Sequence, residues 1–448
     1  MTSLNIIITA HNEAEYVKLC IKSIRMFADV ENLAVILIDN NSSDGLSEWA
    51  MAQTDIAYIQ NDDDTMPYGK IINQVWDMLQ LQGDLLLLDP HFMLTPAALS
   101  RMMQTLYEGE NIAAVGPVSN SLYRCHQGFH SVSTYEQVLT WANQATNLHS
   151  KRVMALCPEV VLLKGSIFQQ VNGYDENILC SNYTISDYCF RMAERDHPLK
   201  TCNTAVLWDV RNHFVDINTN QHDEVYLESK WGMHYFNSGG NQIMISQIKH
   251  QPNDPIQVLE IGCDCGATLL EIKNQFPNAQ VYGSELNEYA ARIASHFATV
   301  TVNNIEEYNL PYPPNTFDYI ILGDVLEHLH APDQTLEYCK SLLKDTGNII
   351  ASIPNLMHIS VIEDLLKGNF TYTETGLLDK THIHFFTYNE IQKMFRTCGY
   401  EITATDPSVI GITDMQNKLI ETLTALNGTP RFMYETFQYV VCACKKSL

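Results

Sequence analysis

The chain has 448 residues, 46% of them hydrophobic and 18% charged, with a formal net charge of −25. Phosphate-backbone binding needs a basic surface, so this balance excludes nucleic acid as the expected partner. The length asks for two domains rather than one core.

No uninterrupted apolar run is long enough to span a bilayer, so no transmembrane segment is expected. The start, Met1-Thr-Ser-Leu-Asn5, lacks the basic region and cleavage site of a signal peptide. Twelve cysteines without a CxxC pair read as reduced thiols in a cytoplasmic protein.

In the first half, Leu4–Ala10 reads as a strand and Glu13–Phe27 as a helix. Leu33–Asp39 is a second strand that ends in a polar turn reaching Gly45. A short strand Ile56–Gln60, a helix over Tyr68–Gln80 and the apolar strand Asp84–Leu88 follow. Apolar runs without polar alternation suit a parallel sheet covered on both faces. Alternating β and α with short connections predicts an α/β fold with an open, doubly wound sheet. The strand ends carry Asn12-Glu13, Asp39 and Asp89-Pro-His91, where such sheets form their ligand crevices.

Residues 240–255 have weak periodicity and two prolines and read as a linker, which divides the chain into domains 1–239 and 256–448. The alternation then restarts. Strands are expected at Val258–Ile261, Gln280–Ser284, Thr299–Val302, Phe317–Leu322 and Asn348–Ser352, with a last one at Phe437–Ala443. One helix is expected near Pro332–Leu343, stopping at Gly347.

The first of these strands runs through Glu260 into a turn with Gly262 and Gly266. Glycine has no Cβ, so backbone amides there can approach a ligand closely. Glu285 closes the next strand, 285 − 262 = 23 positions on, where dinucleotide-type folds place a ribose-binding carboxylate. No lysine follows the turn, which argues against a nucleoside triphosphate. Asn304-Ile305-Glu306 and Asp324-Val-Leu-Glu-His328 fall along the same crevice.

Residues 256–445 resemble the class I S-adenosylmethionine-dependent methyltransferases, a Rossmann-like fold. The likeness is strongest in Val258–Leu269, Tyr282–Glu285, Leu310–Tyr319, Asp324–Leu329 and Ser352–Asn355. It implies that Glu260, Gly262, Asp264 and Gly266 line the methionine end of the donor. Glu285 would bind the ribose hydroxyls, Ile305 and Glu306 would flank the adenine, and Asp324 would lie beside the methionine moiety. Asp264 stands where the family usually has a second glycine; aspartate tolerates the left-handed region better than most residues. His328 and His382 are candidate bases toward an acceptor, because histidine titrates near neutral pH. His328 also reads as a helix-start residue that covers the donor. His382 lies in Asp379-Lys-Thr-His-Ile-His-Phe-Phe-Thr387, which looks like an acceptor-side rim.

Residues 3–238 resemble the family 2 glycosyltransferases with a GT-A fold, which use UDP-, GDP- or dTDP-linked sugars. On that likeness Asn12, Glu13, Asp39 and Asp89 would contact the nucleotide-sugar, and Asn73 falls where the family often has asparagine. Asp89, His91 and the later His213 would meet a divalent ion such as Mn2+ or Mg2+. His91 replaces the usual second aspartate, which means either an altered metal site or a lost one. Related enzymes take their base from a Glu-Asp pair that here reads Thr184-Ile185. Asp187 matches the aspartate two positions on; it could serve as base, or it could fix the loop through Arg191.

The two resemblances imply a fusion that acts on a glycan, lipid-linked or glycoprotein acceptor, of polysaccharide or flagellin type. The alternative keeps the methyltransferase and makes the first half a non-catalytic binding module.

Overall fold

A computed structural model describes residues 3–63, 65–121, 134–144, 150–211, 220–232 and 239–446. The chain divides into two units, Met1–Gly239 and Gly240–Leu448.

In the first unit the strands are β1 (Leu4–Ala10), β2 (Leu33–Asn40), β3 (Ala57–Asn61), β4 (Asp84–Leu88), β5 (Phe92–Leu94), β6 (Ala114–Ser119), β7 (Ser150–Val153), β8 (Val160–Leu163) and β9 (Leu199–Asp209). They form one sheet in the order β3-β2-β1-β4-β8-β6-β9-β5, with β7 added on β9. β1 to β4 are mutually parallel. β8 then runs antiparallel to both β4 and β6. Residue alternation decides what each face of β1 meets. Ile6 and Ile8 pack with Val17, Ile21 and Ile24 of helix Ala14–Phe27. Ile7 packs on the other face with Ile71, Ile72 and Val75 of helix Tyr68–Met78. Helices on both faces explain why β4 is wholly buried and wholly apolar after Asp84.

The second unit has β10 (Gln257–Ile261), β11 (Gln280–Glu285), β12 (Thr299–Val302), β13 (Phe317–Gly323), β14 (Leu343–Pro354), β15 (Tyr400–Val409) and β16 (Thr436–Lys445). Their order is β12-β11-β10-β13-β14-β16-β15. The first five are parallel, and β16 is antiparallel to β14 and β15. The order reverses at β10, so the connections leaving β10 and β13 turn away from each other and open a crevice at their carboxyl ends. The helix Pro332–Leu342 stops before Gly347, and β14 begins at once at Leu343.

The stretch read as a linker is partly folded. Asn241 caps a four-residue helix, Gln242–Ile245, by accepting from the Met244 amide. Met244, Ile245 and Ile248 are buried with Val258, Leu269 and Tyr319. This segment therefore belongs to the second core; one helical turn is too short to show a period in sequence. Among the described residues no helix is long and apolar enough to cross a membrane.

Candidate functional site

At the carboxyl ends of β1 and β2, short polar side chains stitch two loops together. Asn12, at φ 57°, accepts from the Ser43 amide at 2.8 Å through Oδ1. Asp44 accepts from the Ala14 amide at 2.7 Å and so starts the first helix. Asp39 is buried, with Oδ1 accepting from the Ser42 amide and Oδ2 from the Tyr58 hydroxyl, each at 2.9 Å.

At the end of β4, one Asp89 oxygen accepts from the His91 amide and meets His91 Nδ1, both at 2.9 Å. The other ring nitrogen of His91 lies 3.6 Å from Glu13, and Tyr16 packs on the ring at 4.2 Å. Burial pushes the Glu13 carboxyl up, against the pull of His91. Arg211, paired with Asp209 at 2.7 Å, adds positive charge felt by both Glu13 and Asp89. As arranged, His91 Nδ1 is engaged by Asp89 at hydrogen-bond distance and its Nε2 is turned to Glu13. His213 lies outside the described residues.

The segment that should supply the first unit's base is closed. Thr184 is buried and donates to the Cys180 carbonyl, and Ile185 is in the core. Asp187 is wholly buried and accepts from Arg191 at 2.9 Å, Lys230 at 2.7 Å and Trp231 at 3.0 Å. Both Asp187 oxygens are committed and none of the side chain reaches solvent, an arrangement that favours its loop-fixing reading over its reading as a base. Asn73 also has a local task, since its side-chain amide clasps the Tyr174 backbone in both directions at 2.9 Å.

In the second unit β10 ends at Gly262 (φ 67°), followed by Asp264 (φ 48°) and Gly266 (φ 83°). Gly262 is exposed in the crevice, and a Cβ on it would meet Val325 at 2.8 Å. A Cβ on Gly266 would meet Phe297 at the same distance, so this glycine also serves packing. Glu285 holds the turn. Its Oε2 accepts from the Asp264 amide at 2.7 Å, and its Oε1 from the Leu286 and Asn287 amides at 2.8 and 2.9 Å.

Three other acids face the same crevice with raised pKa values. Burial, with Asp264 and Glu285 nearby, lifts Glu260 to about 8, and its Oε2 has no hydrogen-bond partner. Asp324, at φ 54°, is reached by water inside the concave crevice yet enclosed by protein, which lifts it to about 6. Its amide donates to Ser352 Oγ at 3.1 Å, and its carboxylate accepts from Gln438. Burial and then Asp324 lift Glu327 to about 8, with both of its oxygens unpartnered. An orphaned buried carboxylate beside an exposed glycine backbone fits a cationic, hydroxyl-bearing ligand.

Farther along, Ile305 is buried, and Glu306 accepts from the Ala331 amide at 3.0 Å and so anchors the helix at Pro332. His328 and His382 pack edge to face at 4.8 Å.

Residues 243–405 match a family model described as a methyltransferase domain, and residues 5–151 match one described as glycosyl transferase family 2. The chain is a family 2 glycosyltransferase domain fused to a class I methyltransferase domain. Over 76 residues it is 36% identical to methyltransferase str3 of Strobilurus tenacellus, covering 17% of this chain and 27% of that one. It is 28% identical over 163 residues to the human tRNA N(3)-cytidine methyltransferase METTL2B, covering 32% and 42%. It is 23% identical over 169 residues to the mitochondrial ubiquinone biosynthesis O-methyltransferase of Dictyostelium discoideum, covering 34% and 52%. The chain thus spans about a quarter to a half of the length of these relatives. Among solved structures, a SAM dependent methyltransferase from Archaeoglobus fulgidus aligns with TM-score 0.34 and 17% identity, over 49% of this chain and 99% of that one.

The methyltransferase domain brings Glu260, Gly262, Asp264 and Glu285 together at one turn, where Glu285 bonds the Asp264 amide and its charge reaches Glu260. Glu327 was not singled out from sequence. The available signal was its spacing in Asp324-Val-Leu-Glu327, three positions that one tight turn folds back on itself. In the glycosyltransferase domain, Asn12 and Asp39 are tied to the loop Ser42–Ser43, and Glu13 and Asp89 converge on His91.

Proposed function

We propose that the methyltransferase domain moves the methyl group of S-adenosylmethionine to a sugar hydroxyl or related group on a glycan or glycoprotein. The glycosyltransferase domain, on this reading, adds a sugar from a UDP-, GDP- or dTDP-linked donor to the same class of acceptor. The observation that carries the reading is the row of acids Glu260, Glu285 and Asp324 at the ends of three adjacent parallel strands. Glu285 would accept from the ribose hydroxyls with the lone pairs its amide donors leave open. Glu260 and Asp324 would face the donor's positive end, and Ile305 would cover the adenine. The donor supplies an electrophilic methyl group on a sulfonium; the protein holds it in line with the acceptor and excludes water. Equilibrium binding of S-adenosylmethionine, followed by mass analysis of a glycan treated with both donors, tests the reading. No heat of binding at millimolar donor would refute it.

A pH dependence follows. Glu260 and Asp324 have folded pKa values of about 8 and about 6, above those of free side chains. A raised acid is protonated in the folded state, so its contribution to stability is full below its unfolded pKa and is lost as pH rises through the folded value. The ligand-free methyltransferase domain should lose stability between about pH 5 and about pH 8. A cationic donor favours the ionised acids, so its binding should tighten over the same range and release protons. Calorimetry in buffers of different ionisation enthalpy measures that release; pH-independent binding without proton release would refute the assignment.

The acceptor side carries an aromatic surface. Phe370, Tyr372 and Phe385 have ring centroids 5.6 to 6.3 Å apart, and Phe385 lies 6.1 Å from His382. Phe370 and Tyr372 are 41% and 55% exposed and stand together with Phe385 as one aromatic patch. Such rings suit the apolar face of a sugar. Tyr372→Ala and Phe385→Ala should each raise the acceptor KM roughly tenfold and leave S-adenosylmethionine affinity unchanged. Unchanged KM in both would remove the platform.

A second reading has a specific observation behind it. With Thr184 and Ile185 buried and Asp187 locked in an ion-pair cluster, no acid among the described residues of Tyr183–Asp187 stands free to act as the glycosyltransferase base. On this reading the first domain binds nucleotide-sugar or glycan and presents the acceptor to the methyltransferase. Sugar-transfer and hydrolysis assays with and without Mn2+ separate the two, and turnover abolished by His91→Ala would exclude the binding module.

A further inference from the structure

We propose that Glu327, His328 and His382 form a site for a divalent first-row transition cation, of the Zn2+, Mn2+ or Fe2+ class, on the acceptor side of the methyl-donor crevice. Only its use, holding an oxygen of the acceptor, rests on the methyltransferase reading above. The site itself rests on four observations.

First, one ligand atom from each of the three side chains lies within 4.8 Å of the other two, the one such group of three among the described residues. Second, Glu327 is 1% exposed and both its carboxylate oxygens lack a hydrogen-bond partner. A buried carboxyl group without donors is costly unless something positive or donating completes it. His382 Nε2, at 4.0 Å, is too far away to do so by hydrogen bonding. An ion at about 2.1 Å from each atom holds tetrahedral ligands about 3.4 Å apart, so binding would draw this pair together by about 0.6 Å and the most widely spaced pair by up to about 1.4 Å.

Third, both imidazoles are oriented as ligands are. His382 Nδ1 lies 3.3 Å from the Leu377 carbonyl and His328 Nδ1 lies 3.2 Å from the Thr381 carbonyl. A carbonyl fixes the proton on Nδ1, which leaves Nε2 with its lone pair available; backbone carbonyls play this part behind metal-bound histidines. Fourth, the two segments that carry the ligands are tied together. The Glu327 carbonyl accepts from the Ile383 and His384 amides, both at 3.0 Å. Asp379 Oδ1 accepts from the Thr381 amide at 2.8 Å and its hydroxyl at 2.6 Å, which fixes the turn before His382.

Two imidazoles and one carboxylate favour a transition metal over Mg2+ or Ca2+, which prefer all-oxygen sets. Three protein ligands leave a coordination position for an exogenous oxygen, as in working rather than purely structural sites.

The test uses the full chain stripped with a chelator and titrated with Co2+, whose visible absorption reports the ligand set, then with Zn2+ in competition. Wild type should take up one equivalent that Glu327→Gln and His382→Gln each bind at least tenfold more weakly, with the absorption band lost. His91→Ala should retain that equivalent, which separates the site from the Asp89–His91 pair. His328→Gln changes a more exposed ligand and should weaken uptake even if the buried variants fail to fold. Uptake and spectrum unchanged in the folded Glu327→Gln, His382→Gln and His328→Gln proteins would overturn the site. S-adenosylmethionine calorimetry on the same samples keeps the two readings apart. Loss of donor binding in wild type would defeat the methyltransferase reading and leave the Co2+ result to decide the metal site.

Discussion

Glu285→Ala is expected to weaken S-adenosylmethionine binding at least ~100-fold and to lower the unfolding temperature of the methyltransferase unit by about 5–10 °C. The first effect comes from two hydroxyl donors losing a charged acceptor, a difference of about 3 kcal/mol. The second comes from the protein itself. The carboxylate now accepts three backbone amides, from Asp264, Leu286 and Asn287. Asp264 is held at φ 48°, a conformation that a non-glycine residue keeps only when its surroundings fix it. With the acceptor gone, that amide is orphaned and the turn keeps only the bonds of the Gly262 and Cys263 amides to the Ser284 carbonyl of β11. Glu285→Gln separates the two effects. Its single amide oxygen can satisfy one side of the cluster, while its NH2 group faces amide donors on the other. An intermediate loss of affinity with a smaller change in melting temperature is expected. Alanine-variant affinity equal to wild type, measured by calorimetry on folded protein, would remove Glu285 from the donor site.

The strand-end residues were legible in sequence for a simple reason. In a parallel sheet the connection after each strand leaves at the same edge, so Gly262, Glu285 and Asp324 must share that edge wherever the strands are correctly found. The same logic placed Asn12, Asp39 and Asp89. The antiparallel half of the first sheet was not legible. Its strands β5 to β8 have three to six residues and show little that separates them from loop. Glu327 was equally hidden. Sequence gives its spacing from Asp324, but the absence of donors around its carboxylate depends on the loop at His382, 55 residues later (382 − 327). Thr184 and Ile185 show the opposite case. Their departure from the resembled pattern was visible in sequence, and their burial explains it: a threonine methyl and an isoleucine fill space that charged side chains could not enter unpaired.

Asp187→Asn is expected to destabilise the glycosyltransferase unit by about 3–5 kcal/mol, the cost of breaking a buried ion pair by removing one partner. The carboxylate is the hub of three donors on two helices. Arg191 Nε comes from its own helix, Ser181–Glu194, while Lys230 Nζ and Trp231 Nε1 come from Gln221–Trp231. Arg191 also donates to the Gly173 carbonyl at 2.8 Å, which ties in the loop before the helix. Lys230 is shared with Asp175 at 2.5 Å; burial raises that acid, but Lys230, the Asn177 amide and Tyr226 outweigh it and hold it down at about 2. Asparagine would remove the negative charge and turn its NH2 group either toward the Arg191 guanidinium at the Oδ2 position or toward Lys230 and Trp231 at the Oδ1 position.

The variant also decides between the two readings of this residue. A catalytic base replaced by asparagine would leave the unfolding transition in place and abolish sugar transfer. A structural hub would lower the transition and leave whatever turnover the domain has intact at low temperature. Calorimetric unfolding, with turnover measured below the shifted transition, distinguishes them. Pairing Asp187→Asn with Lys230→Met sharpens the result, because the second change removes the cation that Asp187 shares with Asp175. The double variant should be destabilised by less than the sum of the single changes, and full additivity would mean that the 2.7 Å contact between Asp187 and Lys230 contributes nothing to stability.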